Sequence, residues 1–105
     1  MSNYLDNPRL GSTELRKLIP VFMDEIVEDV MRLELAFNIA DYQICLELLH
    51  KIKGTSISFG VLILGDKTKA FREYLQENKY DVASVELNSI KIIIKELQEE
   101  VQKMP

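Results

Sequence analysis

The sequence predicts an all-α protein: an up-down-up-down antiparallel four-helix bundle preceded by a short N-terminal helical turn. Apolar residues recur every three or four positions through four successive segments, and no segment shows the sustained two-residue alternation of a strand. The turns between these segments are short, which favours antiparallel neighbours. At 105 residues the chain can bury one hydrophobic core but not two. We assign residues 12–105 to the bundle and residues 1–11 to a partly ordered leader.

The first long helix is predicted from about residue 20 to residue 37 by its apolar spacing. Ser12 or Thr13 can cap a short leading turn of helix, because their hydroxyls accept free backbone N–H groups. Pro20 separates that turn from the long helix, since proline removes a helical hydrogen bond and disfavours helix at the preceding residue.

The remaining helices are bounded by capping and turn residues. The second is predicted from about residue 42 to residue 59, with Asp41 as its N-cap and Gly60 as its C-terminal stop. The third follows at once and closes in the polar segment 76–79. Asp81 is placed to cap the fourth, which carries an unbroken stripe of apolar residues at three- and four-residue steps.

Composition excludes several classes of function. The net charge is −4 and the basic residues are scattered, which argues against nucleic-acid binding. A single cysteine, Cys45, forms no intramolecular disulfide and favours a reducing, cytoplasmic setting. The N-terminus lacks the regions of a signal peptide, and the longest apolar run, residues 61–64, is too short to span a membrane. We therefore expect a cytoplasmic protein with no nucleic-acid or membrane partner.

His50, the only histidine, is predicted to face away from the core. If Leu48 marks the centre of the buried face, Ile44 lies on that face and His50 lies roughly 160° away. Lys53 is one turn further on the same surface, where its ammonium can approach a group attached to the imidazole. Gly54 is in mid-helix, where glycine costs about 1 kcal/mol relative to alanine. Its presence is easier to explain if something large must approach the ring.

The surroundings of His50 suggest a docking surface for a partner protein. Leu46 and Ile57 flank it on the predicted outward face, together with Gln43, and apolar side chains around a reactive ring favour protein contact. A neutral imidazole can attack an aspartyl phosphate, and the reverse step hands the phosphoryl group on. The metal ion that such transfer usually needs would have to come from the partner, because the chain has no convincing cluster of outward carboxylates.

The segment from His50 to Gly60, with Leu64 beyond it, resembles the signature of histidine-containing phosphotransfer (Hpt) domains. That signature reads His-x-hydrophobic-Lys-Gly, then two small residues, and a glycine ten residues after the histidine. The resemblance implies a monomeric phosphocarrier without turnover or cofactor of its own. Such domains accept a phosphoryl group from the aspartate of a receiver domain, or from a sensor or hybrid histidine kinase, and pass it to another receiver. The receiver domain is expected to supply Mg²⁺. The resemblance makes His50 the phosphoacceptor, Lys53 a charge stabiliser and Gly54 the residue that grants access.

The chain departs from this family's pattern on the third helix, most clearly near the phosphoacceptor ring. Family members often carry Glu or Gln there, which hydrogen-bonds the phosphoacceptor ring. At the corresponding spacing, 22 residues after His50, stands Arg72, with Glu73 beside it. Arg72 contacts phosphate, or Glu73 orients the ring, or both are ordinary solvated charges.

Two other functions compete with phosphotransfer. The first is an adaptor on the same scaffold in which His50 is never phosphorylated, although the combination of His50, Lys53 and Gly54 counts against it. The second is the dimerisation domain of a histidine kinase, which usually has an acidic residue where this chain has Lys51. A metal-binding bundle needs more than one histidine, and a hydrolase needs a partnered Ser or Cys.

Overall fold

The computed structural model describes residues 4–104, and every regular element in that range is helical. A 3-10 turn, Pro8–Leu10, and the short helix α1, Thr13–Arg16, come first. Four long helices follow: α2, Ile19–Asn38; α3, Tyr42–Ser58; α4, Leu62–Gln76; and α5, Tyr80–Gln102. The predicted all-helical class is confirmed.

The four long helices contact one another in a ring. Helix α2 packs against α3 and α5, α3 packs against α4, and α4 packs against α5. Each helix contributes fully buried side chains to the common core, among them Ile26, Ile52, Phe71 and Ile90. Burial of one apolar stripe per helix is the physical reason for the three- and four-residue spacing in the sequence.

The three connections between the long helices repeat one backbone geometry. Ala40, Gly60 and Asn78 have φ angles of 59°, 73° and 60°, in the left-handed region. The residue after each donates its N–H to the carbonyl five residues earlier, at 2.8–2.9 Å. This hydrogen bond closes the end of a helix and satisfies a carbonyl that would otherwise lack a partner. The predicted stop at Gly60 is confirmed.

The starts of the helices agree with the predicted capping residues in two cases out of three. Asp41 and Ser12 each accept the backbone N–H three residues further on, at 3.3 and 3.5 Å. Pro20 lies in the first turn of α2, where its missing N–H costs nothing. The prediction for Asp81 is wrong: α5 already begins at Tyr80. Its carboxylate lies inside the first turn, where negative charge is favourable.

The buried face of α3 is rotated from the predicted one. Ile44, predicted to lie on the core face, is 40% exposed. The buried residues of the helix are Cys45, Leu49, Ile52 and Ser56. Ser56 can be buried because its hydroxyl donates to the Ile52 carbonyl at 2.6 Å. A pattern built on apolar residues alone does not weight such a position, so the prediction turned the helix too far towards Leu48.

Residues 4–11 lie against the bundle. Leu5 and Leu10 are 2% and 1% exposed and belong to the hydrophobic core. The backbone N–H groups of Tyr4 and Leu5 donate to the Glu100 carboxylate near the end of α5, at 2.9 and 3.0 Å. The division of the chain at residue 12 stays a prediction, but the described part of the leader contributes to packing.

Asn7 joins this leader to the end of α3. Its side-chain amide donates to the Phe59 carbonyl at 3.0 Å, and its own oxygen lies directly over Gly60. A Cβ atom on Gly60 would stand 2.1 Å from that oxygen. Glycine is therefore favoured at position 60 for two reasons: the left-handed backbone and the closeness of the Asn7 side chain.

We expect Gly60→Ala to lower the free energy of unfolding by about 2 kcal/mol, because the new methyl group is strained and displaces Asn7. Ala40→Gly is the matched variant, since Ala40 has the same left-handed backbone but is exposed. It should raise the free energy of unfolding by up to about 1 kcal/mol. Urea denaturation measures both. Equal stability of Gly60→Ala and the wild type would contradict this explanation of the turn.

Candidate functional site

His50 is exposed on the outer side of α3, as its spacing in the sequence predicts. Gln43, two turns before it, and Gly54, one turn after it, are exposed on the same helix. Within residues 4–104 the imidazole takes part in no side-chain hydrogen bond or ion pair. Its ring nitrogens are therefore accessible to a reactant from solvent.

A groove of about 180 Å³ lies beside His50, between α3 and α4. It has room for several groups the size of a water molecule. Helix α3 contributes Leu49, His50 and Lys53 to its lining, and α4 contributes Thr68, Lys69, Arg72, Glu73 and Gln76. The ring thus stands at the edge of a polar groove whose opposite wall is α4.

Arg72 and Glu73, the two residues predicted near the ring, both line this groove. Neither donates a hydrogen bond to His50 or accepts one from it in the part of the chain that the structure describes. Lys69 also lines the groove and is absent from the predicted site. Its spacing could have revealed it, because a residue three or four positions before Arg72 and Glu73 lies on the same face of a helix.

The groove carries an excess of positive charge. Lys53, Lys69 and Arg72 contribute three cations and Glu73 contributes one carboxylate. None of the three cations forms an ion pair with any described residue. Unpaired cations that converge beside an accessible imidazole favour an anion at that position, and this occurs on a chain whose net charge is −4.

The other cation next to His50 is already occupied. Lys51 points towards α2, where its ammonium lies 3.3 Å from a carboxylate oxygen of Asp29. The Asp29 side chain is buried, so this ion pair offsets a charge that would otherwise be costly to bury. Among these cations near His50, those without an ion-pair partner in the described residues are the three that line the groove on the α4 side.

Gly54 leaves open space beside His50. A Cβ atom added to it would meet no atom within 4 Å outside its own helical turn. No contact among the described residues therefore requires glycine there, although glycine is unfavourable in the middle of a helix. That position 54 is kept small for an approaching partner stays a prediction.

Leu46 and Ile57, predicted to flank His50 on the surface, are both half-buried. Leu46 packs against the hydrophobic core, and Ile57 lies close to Gly65 of α4, within 3.6 Å of where a Cβ would stand. The rotation of α3 is the cause, because it turns these two side chains towards α4. The apolar patch around His50 is therefore smaller than predicted.

The thiol of Cys45 is not part of the site. It is fully buried on the core side of α3. Burial, with a smaller contribution from the Asp41 carboxylate, raises the pKa of the Cys45 thiol to about 11. The group is protonated at neutral pH and is a poor nucleophile.

The described residues offer neither a cluster of metal ligands nor a helix able to span a membrane. Residues 4–104 contain no group of three or more His, Cys, Asp or Glu side chains that could hold a metal ion. None of the helices described above combines the length and apolar character needed to cross a bilayer.

Replacing Gly54 with alanine tests whether the glycine serves the fold. Because the space around it is open, we expect Gly54→Ala to raise the free energy of unfolding by about 1 kcal/mol. Chemical denaturation followed by circular dichroism measures the change. A loss of stability would show that the fold itself needs glycine at this position, and the access argument would then fail.

Comparison with known families gives one match. A family model described as Hpt domain matches residues 17–104. The matched range contains all four long helices and every residue that lines the groove beside His50. Neither the curated proteins nor the solved structures give a match.

Proposed function

The chain belongs to the Hpt domain family, and we propose that it carries phosphoryl groups on His50 within a two-component phosphorelay. Membership of this family implies histidine phosphotransfer in phosphorelays. The observation that carries the assignment to one residue is that the only histidine of the chain is exposed beside a cationic groove.

The proposed chemistry needs only the ring and its surroundings from this chain. The lone pair of a neutral ring nitrogen attacks the phosphorus of a receiver's aspartyl phosphate. The N–P bond forms, the O–P bond breaks, and the aspartate leaves as a carboxylate while the other ring N–H releases its proton to solvent. The reverse sequence passes the phosphoryl group to a second receiver. The chain is then a phosphocarrier without independent turnover.

Five further residues have proposed roles around His50. Lys53 offsets the charge of the phosphoryl oxygens, which its place in the groove supports. Gly54 gives the receiver's active-site loops room, which the open space around it supports. Gln43, Leu46 and Ile57 form part of the surface on which the receiver docks. The half-buried state of Leu46 and Ile57 makes this contact smaller than an exposed apolar patch would give.

The partners we propose are receiver domains and a sensor or hybrid histidine kinase. Mg²⁺ is held by the receiver, where it neutralises charge during transfer. We propose a monomer that works in the cytoplasm without nucleic-acid or membrane partners. The net charge of −4 supports the absence of a nucleic-acid partner.

We also propose that the four long helices alternate in direction, up-down-up-down. The Phe22 and Phe59 rings stack at 4.4 Å, which brings the start of α2 close to the end of α3 and supports an antiparallel pair. The Tyr42 and Tyr80 rings stack at 4.6 Å, which brings the starts of α3 and α5 together. Alternating directions require this of α3 and α5.

The proposal is tested with a panel of purified receiver domains carrying labelled aspartyl phosphate. We expect at least one receiver to transfer acid-labile label to the wild type and none to label His50→Gln. His50 is exposed, so the variant should fold normally, which circular dichroism checks. Equal labelling of His50→Gln would show that another residue is the acceptor. Binding of a receiver without any labelling of the wild type would favour the adaptor function instead.

A further inference from the structure

We infer that Lys69 and Arg72 of α4 complete an anion site with Lys53, and that this site holds the phosphoryl oxygens of phosphorylated His50 in the groove between α3 and α4. The inference rests on the proposed function and adds two residues and a direction to it. It places the phosphoryl group towards α4, whereas the exposed side at Gly54 remains free for the receiver.

Three cations border the groove, one on α3 and two on α4. Lys53 lies one turn after His50 on α3, and Lys69 and Arg72 lie one turn apart on α4, so the three approach the groove from both walls. The ring of His50 lines the same groove. A group attached to the ring on this side therefore enters a space bordered by all three.

The cations of the groove have no ion-pair partner among residues 4–104, whereas nearby lysines do. Lys51 is held by the buried carboxylate of Asp29, and Lys67 of α4 lies 3.5 Å from Glu86 of α5. Lys69 and Arg72 have no such partner among residues 4–104. Three cations against the single carboxylate of Glu73 leave the groove a formal charge of about +2 when all are ionised. This charge is opposite in sign and similar in size to that of a phosphoryl group at neutral pH.

The side chains of Arg72 and Lys69 suit phosphoryl oxygens in different ways. The guanidinium of Arg72 is planar and can donate two parallel hydrogen bonds to phosphoryl oxygens. The ammonium of Lys69 acts as a mobile point charge with three donors. Arg72 occupies the position where a Glu or Gln would orient the imidazole ring, and a cation cannot accept a hydrogen bond from that ring. Contact with the phosphoryl group is a role that its donors and its charge suit.

The consequence is a phosphohistidine that persists. Hydrolysis of the N–P bond passes through a loose, metaphosphate-like transition state. As that bond breaks, its electron pair moves to the ring nitrogen, so the phosphoryl oxygens carry less negative charge than before reaction. Cations that hold those oxygens therefore stabilise the phosphorylated state more than the transition state.

The test uses phosphoramidate, which modifies His50 without any receiver. A ring nitrogen of His50 attacks the phosphorus of phosphoramidate, so that the new N–P bond forms and the P–N bond of phosphoramidate breaks. Ammonia leaves and takes up the proton that the other ring nitrogen releases. Phosphorus NMR then follows the decay of phosphohistidine at neutral pH. The variants are Lys69→Gln, Arg72→Gln and the double substitution. Arg72→Lys keeps the charge, and Lys95→Gln removes an exposed cation of α5 that lies outside the groove lining.

We expect each single substitution to shorten the half-life about threefold and the double substitution about tenfold, as the loss of partly exposed charge contacts predicts. Arg72→Lys should recover most of the loss, and Lys95→Gln should decay like the wild type. The phosphorus chemical shift should also change in the double variant, and high salt should reduce its difference in half-life.

Decay of the double variant at the wild-type rate would overturn the inference, and so would an equal effect of Lys95→Gln. Failure of phosphoramidate to modify the wild type would also count against it, because a cationic groove open to solvent should attract this anionic donor. These results are separable from the test of the proposed function. Normal transfer from a receiver with unchanged half-lives removes only the anion site, whereas shortened half-lives without transfer remove only the relay.

Discussion

The rotation of α3 about its own axis is the constraint on which the site depends. Burial of Leu49 and Ile52 between α2 and α4 fixes that rotation, because both side chains lose almost all contact with water. Once they are buried, the helical repeat places His50 on the outward face of α3. The same rotation directs Lys53 towards α4. The chemistry at the surface is therefore determined by hydrophobic packing beneath it.

The charged residues around α3 differ in whether they have an ion-pair partner. On the α2 side, Asp29 engages Lys51 and holds it away from the ring. On the α4 side, Lys69 and Arg72 are left without partners among the described residues. A single helix can thus present an accessible imidazole with positive charge on one flank and open space at Gly54 on the other. Little movement is needed for such a surface to meet a partner, because its framework is already packed.

The features that could be predicted from the sequence are those set within a few residues. The cap at Asp41, the stop at Gly60 and the exposure of His50 follow from local hydrogen bonding, the left-handed backbone and the helical repeat. Burial that depends on other elements was harder to predict. Leu5 and Leu10 have no helical spacing that marks them as core residues, and they are buried only because residues 4–11 lie across the ends of α3 and α5.

In the site too, some features depend on elements that are distant along the chain. The resemblance to Hpt domains predicted the positions of Arg72 and Glu73 near His50, but a position does not state whether a charge finds a partner. Lys67 and Lys69 are both lysines of α4, yet among residues 4–104 only Lys67 of the two has an ion pair across the bundle. The difference comes from Glu86 on α5, which faces one of them and not the other. Such pairing requires the packed helices and cannot be read from α4 alone.

The central claim is that His50 carries a phosphoryl group in transit, and return transfer tests it most directly. Phosphorylated chain, freed of the donor that loaded it, is mixed with an unphosphorylated receiver and Mg²⁺. If the claim holds, label leaves His50 and appears in equal amount on the receiver's aspartate, faster than it is lost to water in the receiver's absence. Label that remains on the chain, or is released as inorganic phosphate without appearing on any receiver tested, would contradict the claim.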